Sequence, residues 1–337
     1  MRPKKLKYKI FVLLLGLAIF PKMHSQDPQF SQFYSSLLYL SPSFAGSSGG
    51  SRLVLNFRDQ WPKLPSTYIT YAGSFDHYFE KYRSGVGVLF FRDDAGDGLL
   101  STTNLGLQYS FNFDLNNIWS VRPGLHFYYR FRDIDFNRLQ FSDQISFDYI
   151  SPSSIELPPQ ENVVRFDAAT SVLVYSDIFW FGATVDHLMS ISPSLADEVG
   201  YRPMRYSVFG GGKYIISRRT RSRKEESLSG AFNFMAQDKF KYLDLGAYYI
   251  NQPLMVGLWY RGLPVFPNNR NAGAITVLFG YQYRAFTFQY SYDFSTSKLI
   301  TKTGGAHEVS LTYLIASKDF SKRRRLKMVP CPEFLSQ

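Results

Sequence analysis

The chain has a single cysteine in 337 residues, charged residues at only 19%, and no run of about twenty apolar residues outside its N-terminus. One thiol, Cys331, excludes an intramolecular disulfide framework. The missing apolar runs exclude a bundle of membrane-spanning helices. No amphipathic helical period of convincing length occurs between the segments discussed below. What the chain has in excess is aromatic: 31 Phe and 24 Tyr, beside 24 Gly.

Nucleic acid is a poor fit despite a formal charge of +11. Arg2, Lys4, Lys5, Lys7 and Lys9 precede an apolar stretch from Ile10 to Phe20, too short to span and built like a secretory signal. Cleavage is expected after Ser25, which removes six positive charges and leaves +5. The remaining basic runs, Arg218 to Lys224 and Lys322 to Lys327, read as solvated charge at a membrane edge.

The aromatics are ordered. In Ala285 to Asp293, Phe286, Phe288, Tyr290 and Tyr292 alternate with Thr287, Gln289, Ser291 and Asp293, so an extended strand has one aromatic face and one small or polar face. Asn104 to Asp114 repeats the pattern with Leu105, Leu107, Tyr109, Phe111 and Phe113. Lipid on one side and a wet lumen on the other accounts for both faces. From Ser51 onward fourteen such segments follow one another, beginning at Ser51 to Gln60 and ending at Ala306 to Ile315. The expected fold class is therefore all-β: a transmembrane antiparallel β-barrel of fourteen strands spanning residues 51–316. A non-strand N-terminal segment, residues 26–50, packs inside the barrel or lies at its rim, and a basic periplasmic tail follows over 317–337.

An even strand count returns both termini to the periplasm, and long outer connections should alternate with short inner ones. Phe131 to Asn162, holding Asp133, Asp135, Asp143 and Asp148, is the longest outer connection. Two joins break the asymmetry: Arg218 to Ser227 is long on the inner side, and Asp238 with Lys239 is very short on the outer side.

Chemistry is sparse. Asp76 with His77 and Asp186 with His187 resemble acid–base fragments, yet neighbours in a strand face opposite ways and cannot form a side-by-side dyad. DDAGDG at Asp93 to Gly98 lacks the full spacing and closing Glu of a calcium loop. Gly210 to Gly212 before Lys213 is no phosphate loop and reads as a bend or a close approach within the barrel. Glu308, Ser310 and Thr312 alternate with Val309, Leu311 and Tyr313, which puts Glu308 in a lumenal hydrogen-bonding role. No catalytic, cofactor-binding or metal-ligating residue is expected, and the chain is read as a non-enzyme.

Four stretches carry a family likeness: QDPQFSQFYSSLLYLSPSFAG at Gln26 to Gly46, RLVLNFRDQWP at Arg52 to Pro62, YDFSTSKL at Tyr292 to Leu299, and GGAHEVSLTYLI at Gly304 to Ile315, with a closing CPEF at Cys331 to Phe334. With these the chain resembles the PorP/SprF family of Bacteroidetes outer-membrane proteins associated with type IX secretion. Leu38, Tyr39 and Ser41 depart from the family's common Asn-Pro elements. The resemblance implies a β-barrel in the outer membrane and a part in secreting, anchoring or displaying a surface protein that bears a C-terminal type IX sorting domain, in some members a gliding adhesin. It further implies periplasmic or outer-membrane secretion components as partners, besides the lipid bilayer. The residues placed as partner contacts are Phe30, Phe33, Tyr34 and Phe44 in the N-terminal segment, Asp143 in the longest connection, and Arg323, Arg324, Arg325, Cys331 and Phe334 in the tail. The alternatives are a channel for small solutes and, behind it, an outer-membrane hydrolase.

Overall fold

Fourteen segments with a two-residue period must either leave two sheet edges in lipid or close on themselves, and closure leaves no backbone group unpaired in hydrocarbon. The computed structural model describes residues 27–66, 68–96, 100–135, 138–139, 141–145, 162–189, 191–192, 200–219, 224–262, 273–296, 303–315 and 329–330. Its strands are β1 (Ser51–Gln60), β2 (Tyr68–Phe79), β3 (Ser84–Ala95), β4 (Leu100–Phe111), β5 (Ser120–Asp133), β6 (Asn162–Tyr175) and β7 (Phe179–Asp186). They continue with β8 (Arg205–Arg219), β9 (Lys224–Gln237), β10 (Phe240–Asn251), β11 (Leu254–Arg261), β12 (Ala274–Tyr283), β13 (Phe286–Ser295) and β14 (Ala306–Ile315). Each pairs antiparallel with its sequence neighbours, and β1 pairs with β14 from Ser51 opposite Ile315 to Gln60 opposite Ala306, so the sheet is a closed barrel. A two-residue piece, Phe113–Asp114, extends the β4 ladder beyond Pro123, which has no N–H to donate. A small ribbon pairs Ile191–Ser192 with Gly200–Tyr201 outside the wall.

All fourteen expected strands are present, with ends moved by a few residues. The inner join expected to be long is short. Strand β8 runs to Arg219 and β9 starts at Lys224, held by an Arg218–Glu225 cross-strand register and a Lys213–Glu225 ion pair. Charged residues continue the ladder beyond the apolar band, so hydrophobic periodicity alone stops too early there. The two-residue outer join at Asp238 and Lys239 is real, with Asp238 in the left-handed region at φ 51°. Parity therefore holds, and β1 starts at the end of the barrel with the short connections.

The wall sorts side chains as the alternation requires. On β4, Leu107 is 62% exposed to the outside while Gln108 is 1% exposed. On β13, Phe286, Phe288 and Tyr290 are exposed, and Thr287, Gln289, Ser291 and Asp293 are buried. At about 3.3 Å per residue and the usual tilt, twelve-residue strands match an apolar band of about 25 Å.

The interior is not a wet lumen. The N-terminal segment from Asp27 to Gly50 fills it, with Leu37–Leu40 as one helical turn (α1) and Pro42–Phe44 as a 3-10 turn. Part of the polar inward face is buried and hydrogen-bonded to this plug: Gln289 to Ser35, Gln32 to Ser291 Oγ at 3.0 Å, and Ser31 to Asp293. Two wall glycines admit the plug backbone. A Cβ on Gly85 would lie 2.0 Å from the Ala45 carbonyl oxygen, and one on Gly124 would lie 2.4 Å from the Ser43 nitrogen. Glycine is required at both by close approach rather than by dihedral freedom.

Leu107→Arg, on the lipid face near the middle of β4, is expected to lower barrel stability by about 2–4 kcal/mol. The urea midpoint in phospholipid vesicles measures it.

Candidate functional site

The contact between plug and wall divides into an apolar side and three polar centres. On the apolar side, Phe33 meets Trp259 edge-on at 5.3 Å between ring centroids, Tyr34 meets Trp180 at 5.9 Å, and Phe44 lies 5.5 Å from Phe209. Phe30 and Tyr39 enclose Phe91 on the opposite side, with Tyr39 stacked on it at 4.9 Å. The glycines of β8 serve this packing: a Cβ on Gly211 would strike the Trp180 ring at 2.4 Å, and Tyr34 Oη donates to the Gly210 carbonyl at 3.3 Å. The expected close approach at Gly210 to Gly212 is what the structure has.

The first polar centre lies toward the end with the long connections. Glu308 accepts the consecutive backbone N–H groups of Ser31 at 2.7 Å and Gln32 at 3.0 Å. Arg58 bridges Glu308 at 3.1 Å and Asp293 at 2.9 Å, and Arg261 reaches Asp293 at 3.2 Å and the Ser31 hydroxyl at 2.6 Å. Arg58, Asp293 and Glu308 are almost fully buried, so each of their charges needs its partner in place. Glu308 has the lumenal role expected of it, with the plug backbone as its ligand.

The second centre holds the start of the plug. Asp27 pairs with Arg202, with Arg205 at 3.1 Å and with His187 Nε2 at 2.7 Å. His187 Nδ1 lies 2.8 Å from Asp167, Arg205 reaches Asp186 at 2.6 Å, and Tyr128 Oη donates to Asp186 at 2.7 Å. Here one expectation from strand geometry fails. Strand β7 ends at Asp186, and His187 takes φ 61°, which turns its ring back inside beside Asp186 instead of onto the outer face. Both ring nitrogens are engaged by carboxylates. Asp76 and His77 do diverge as expected: Asp76 faces inward, and His77 Nδ1 bonds the Ser51 hydroxyl at 2.7 Å.

The third centre lies at the end where β1 begins. Arg52 and Asp76, both fully buried, pair at 2.9 Å, and Asp76 accepts the Gly46 N–H at 2.7 Å. Arg52 also donates to the Phe44 carbonyl at 3.3 Å, and Ser110 donates to the Ala45 carbonyl at 2.7 Å.

Phe30, Phe33, Tyr34 and Phe44, placed as partner contacts from the sequence, lie inside the barrel. Their rings are buried against the protein's own wall, because an aromatic segment enclosed by an aromatic-lined barrel loses more water contact there than at a rim. Asp143 is exposed in a short 3-10 turn, Ser142–Gln144, in the longest connection. Arg323, Arg324, Arg325, Cys331 and Phe334 lie outside the described residues. Val329 and Pro330 are described and buried, Val329 in the same apolar cluster as Phe33, Ile250, Met255 and Trp259. At these two residues the tail is inside the barrel, which a wholly periplasmic tail does not describe. In the Asp93 to Gly98 stretch, Asp93 accepts from Thr70 at 2.7 Å and Asp94 from Arg92 at 3.0 Å.

Sequence reasoning passed over Asp27, Arg52, Arg58, Asp167, Arg202 and Arg205. A signal for two of them was present: Arg52 and Arg58 share parity with Val54 and Asn56 on the inward face of β1, where a cation needs a buried partner.

A closed fourteen-stranded barrel, apolar outside and filled by its own N-terminal segment, defines the chain as a plugged outer-membrane β-barrel. The chain belongs to the family described as type IX secretion system membrane protein PorP/SprF, whose profile matches residues 22–313. Among solved structures, it is similar to the Ralstonia pickettii toluene transporter TbuX at 10% identity, covering 84% of this chain and 94% of that one with a TM-score of 0.48. It is also similar to the Acinetobacter baumannii outer membrane protein Omp33 at 8% identity, covering 79% and 98% with a TM-score of 0.41. No curated protein sequence matches the chain.

Arg52→Ala is expected to cost about 3–5 kcal/mol by leaving Asp76 buried and unpaired, and Arg52→Ala with Asp76→Ala together less than the sum of the two. A double-mutant cycle on urea midpoints gives the coupling. Gly85→Ala is expected to displace Ala45 and Gly46, read as protease cleavage within the plug while the barrel stays intact.

Proposed function

We propose that this barrel is a non-enzymatic outer-membrane partner of the type IX secretion system that anchors or helps display a dedicated surface protein carrying a C-terminal sorting domain. Membership of the PorP/SprF family is the observation that carries this reading. The filled lumen supports it against the runner-up, a diffusion channel for small solutes, since aromatic and ion-paired contacts occupy the cross-section. The buried acid–base fragments support a binding role over a hydrolytic one: Asp76 is held by Arg52, and His187 is held between Asp27 and Asp167. The surface for the cargo in this reading is the end with the long connections, where Asp143 is exposed.

Affinity capture of the tagged chain from native outer membranes should recover a large protein with a sorting domain together with secretion components. Recovery of porins and lipid-transport proteins alone refutes the reading. In planar bilayers the purified protein should give no steady conductance, whereas deletion of residues 27–46 should give an ion-conducting barrel. A steady open pore in the intact protein would favour the channel.

A further inference from the structure

The centre that receives Asp27 is built as an anion site. Two guanidinium groups and an imidazole converge on one carboxylate: Arg202 on Oδ1, and Arg205 with His187 on Oδ2. Asp27 is 8% exposed, and the Nε atoms of Arg202 and Arg205 are buried without a partner. Of the three cationic or basic groups, two have a second acid: Arg205 has Asp186 and His187 has Asp167. Among the described residues Arg202 has Asp27 alone. Departure of Asp27 would therefore leave a guanidinium desolvated and unpaired, a state that costs far more than a rearrangement of exposed charge. The site favours exchange of one anion for another over vacancy.

Its position suits such an exchange. Arg202 lies between the Gly200–Tyr201 ribbon strand and the first residue of β8, in the connection of residues 187–204 at the end with the long connections. Behind it, the wall is fitted to a polypeptide main chain. Glu308 takes two consecutive N–H groups, Asp76 takes another, and Gln108 and Ser110 donate to the carbonyls of Leu38 and Ala45. The aromatic side of the lumen then accepts side chains at Phe33, Tyr34 and Phe44.

We propose that Arg202, Arg205 and His187 form a carboxylate-binding site whose resident is Asp27, and that an acidic side chain of an extended polypeptide arriving at the outer mouth replaces Asp27 there and loosens the plug. The class of ligand rests on the reading of the barrel as a handler of polypeptides; the latch itself rests on the geometry alone.

The test uses the full chain in planar bilayers, with two arms. A synthetic peptide of residues 26–36 is added to both chambers, beside the same peptide carrying Asp27→Asn. The native peptide should raise the fraction of time spent conducting by about tenfold, and the Asn peptide should leave it unchanged. In the second arm, the Asp27→Ala protein, checked for barrel integrity by heat-modifiable mobility, should conduct without peptide. Equal action of the two peptides, no action of the native one, or an Asp27→Ala barrel that is folded and as silent as wild type overturns the proposal. Cargo recovery from native membranes is unaffected by any of these outcomes, so failure of the latch and failure of the proposed function are read separately.

Discussion

Lipid accepts no unpaired backbone donor or acceptor, and a barrel satisfies that demand for its wall but for nothing placed inside it. The plug has no strand ladder: its helical and 3-10 turns pair part of its backbone, and the N–H and carbonyl groups left over need partners from side chains. The wall supplies them at defined heights: Glu308 for Ser31 and Gln32, Thr184 and Gln108 for the carbonyls around α1, and Asp76 and Ser110 where the plug leaves the barrel. Inward polar residues such as Glu308, Gln108, Asp76 and Ser110 are explained by this demand. Substituting them would strand backbone groups of a different segment.

Charge follows the same logic. Arg58 and Arg261 with Asp293 and Glu308, and Arg205 with Asp186 and Asp27, are ion-paired sets inside the barrel. Such sets add little net stability over apolar packing, but they penalise every wrong register, because a shift of one residue moves a charge into lipid. The polar centres thus act chiefly as alignment marks between plug and wall. The apolar contacts of Phe33, Tyr34 and Phe44 with Trp259, Trp180 and Phe209 supply the hydrophobic burial.

Much of the wall was legible in advance. The alternation in β4 and β13 marked lipid-facing and inward rows correctly, and Glu308, Ser310 and Thr312 fell inside as that alternation demands. Three features escaped it for separate reasons. The plug has no period, and residues such as Ser31, Gln32 and Ser35 look solvated until a wall surrounds them. The β8–β9 hairpin continues through charged residues, which an apolar period does not register. His187 faces inward through one left-handed dihedral, a local turn that a strand rule does not anticipate.

The plug precedes β1 in the chain, while the closing seam joins β1 to β14, near the end. Asp27 lies at the outer side of the lumen and Ser51 starts β1 at the other, so the segment runs the height of the barrel like a cord through a hoop. A hoop that closes around its cord traps it. Assembly of this protein is thus ordered by topology: either the N-terminal segment is already laid along the nascent sheet when β14 meets β1, or it has to be drawn through a finished ring lined with its own partners.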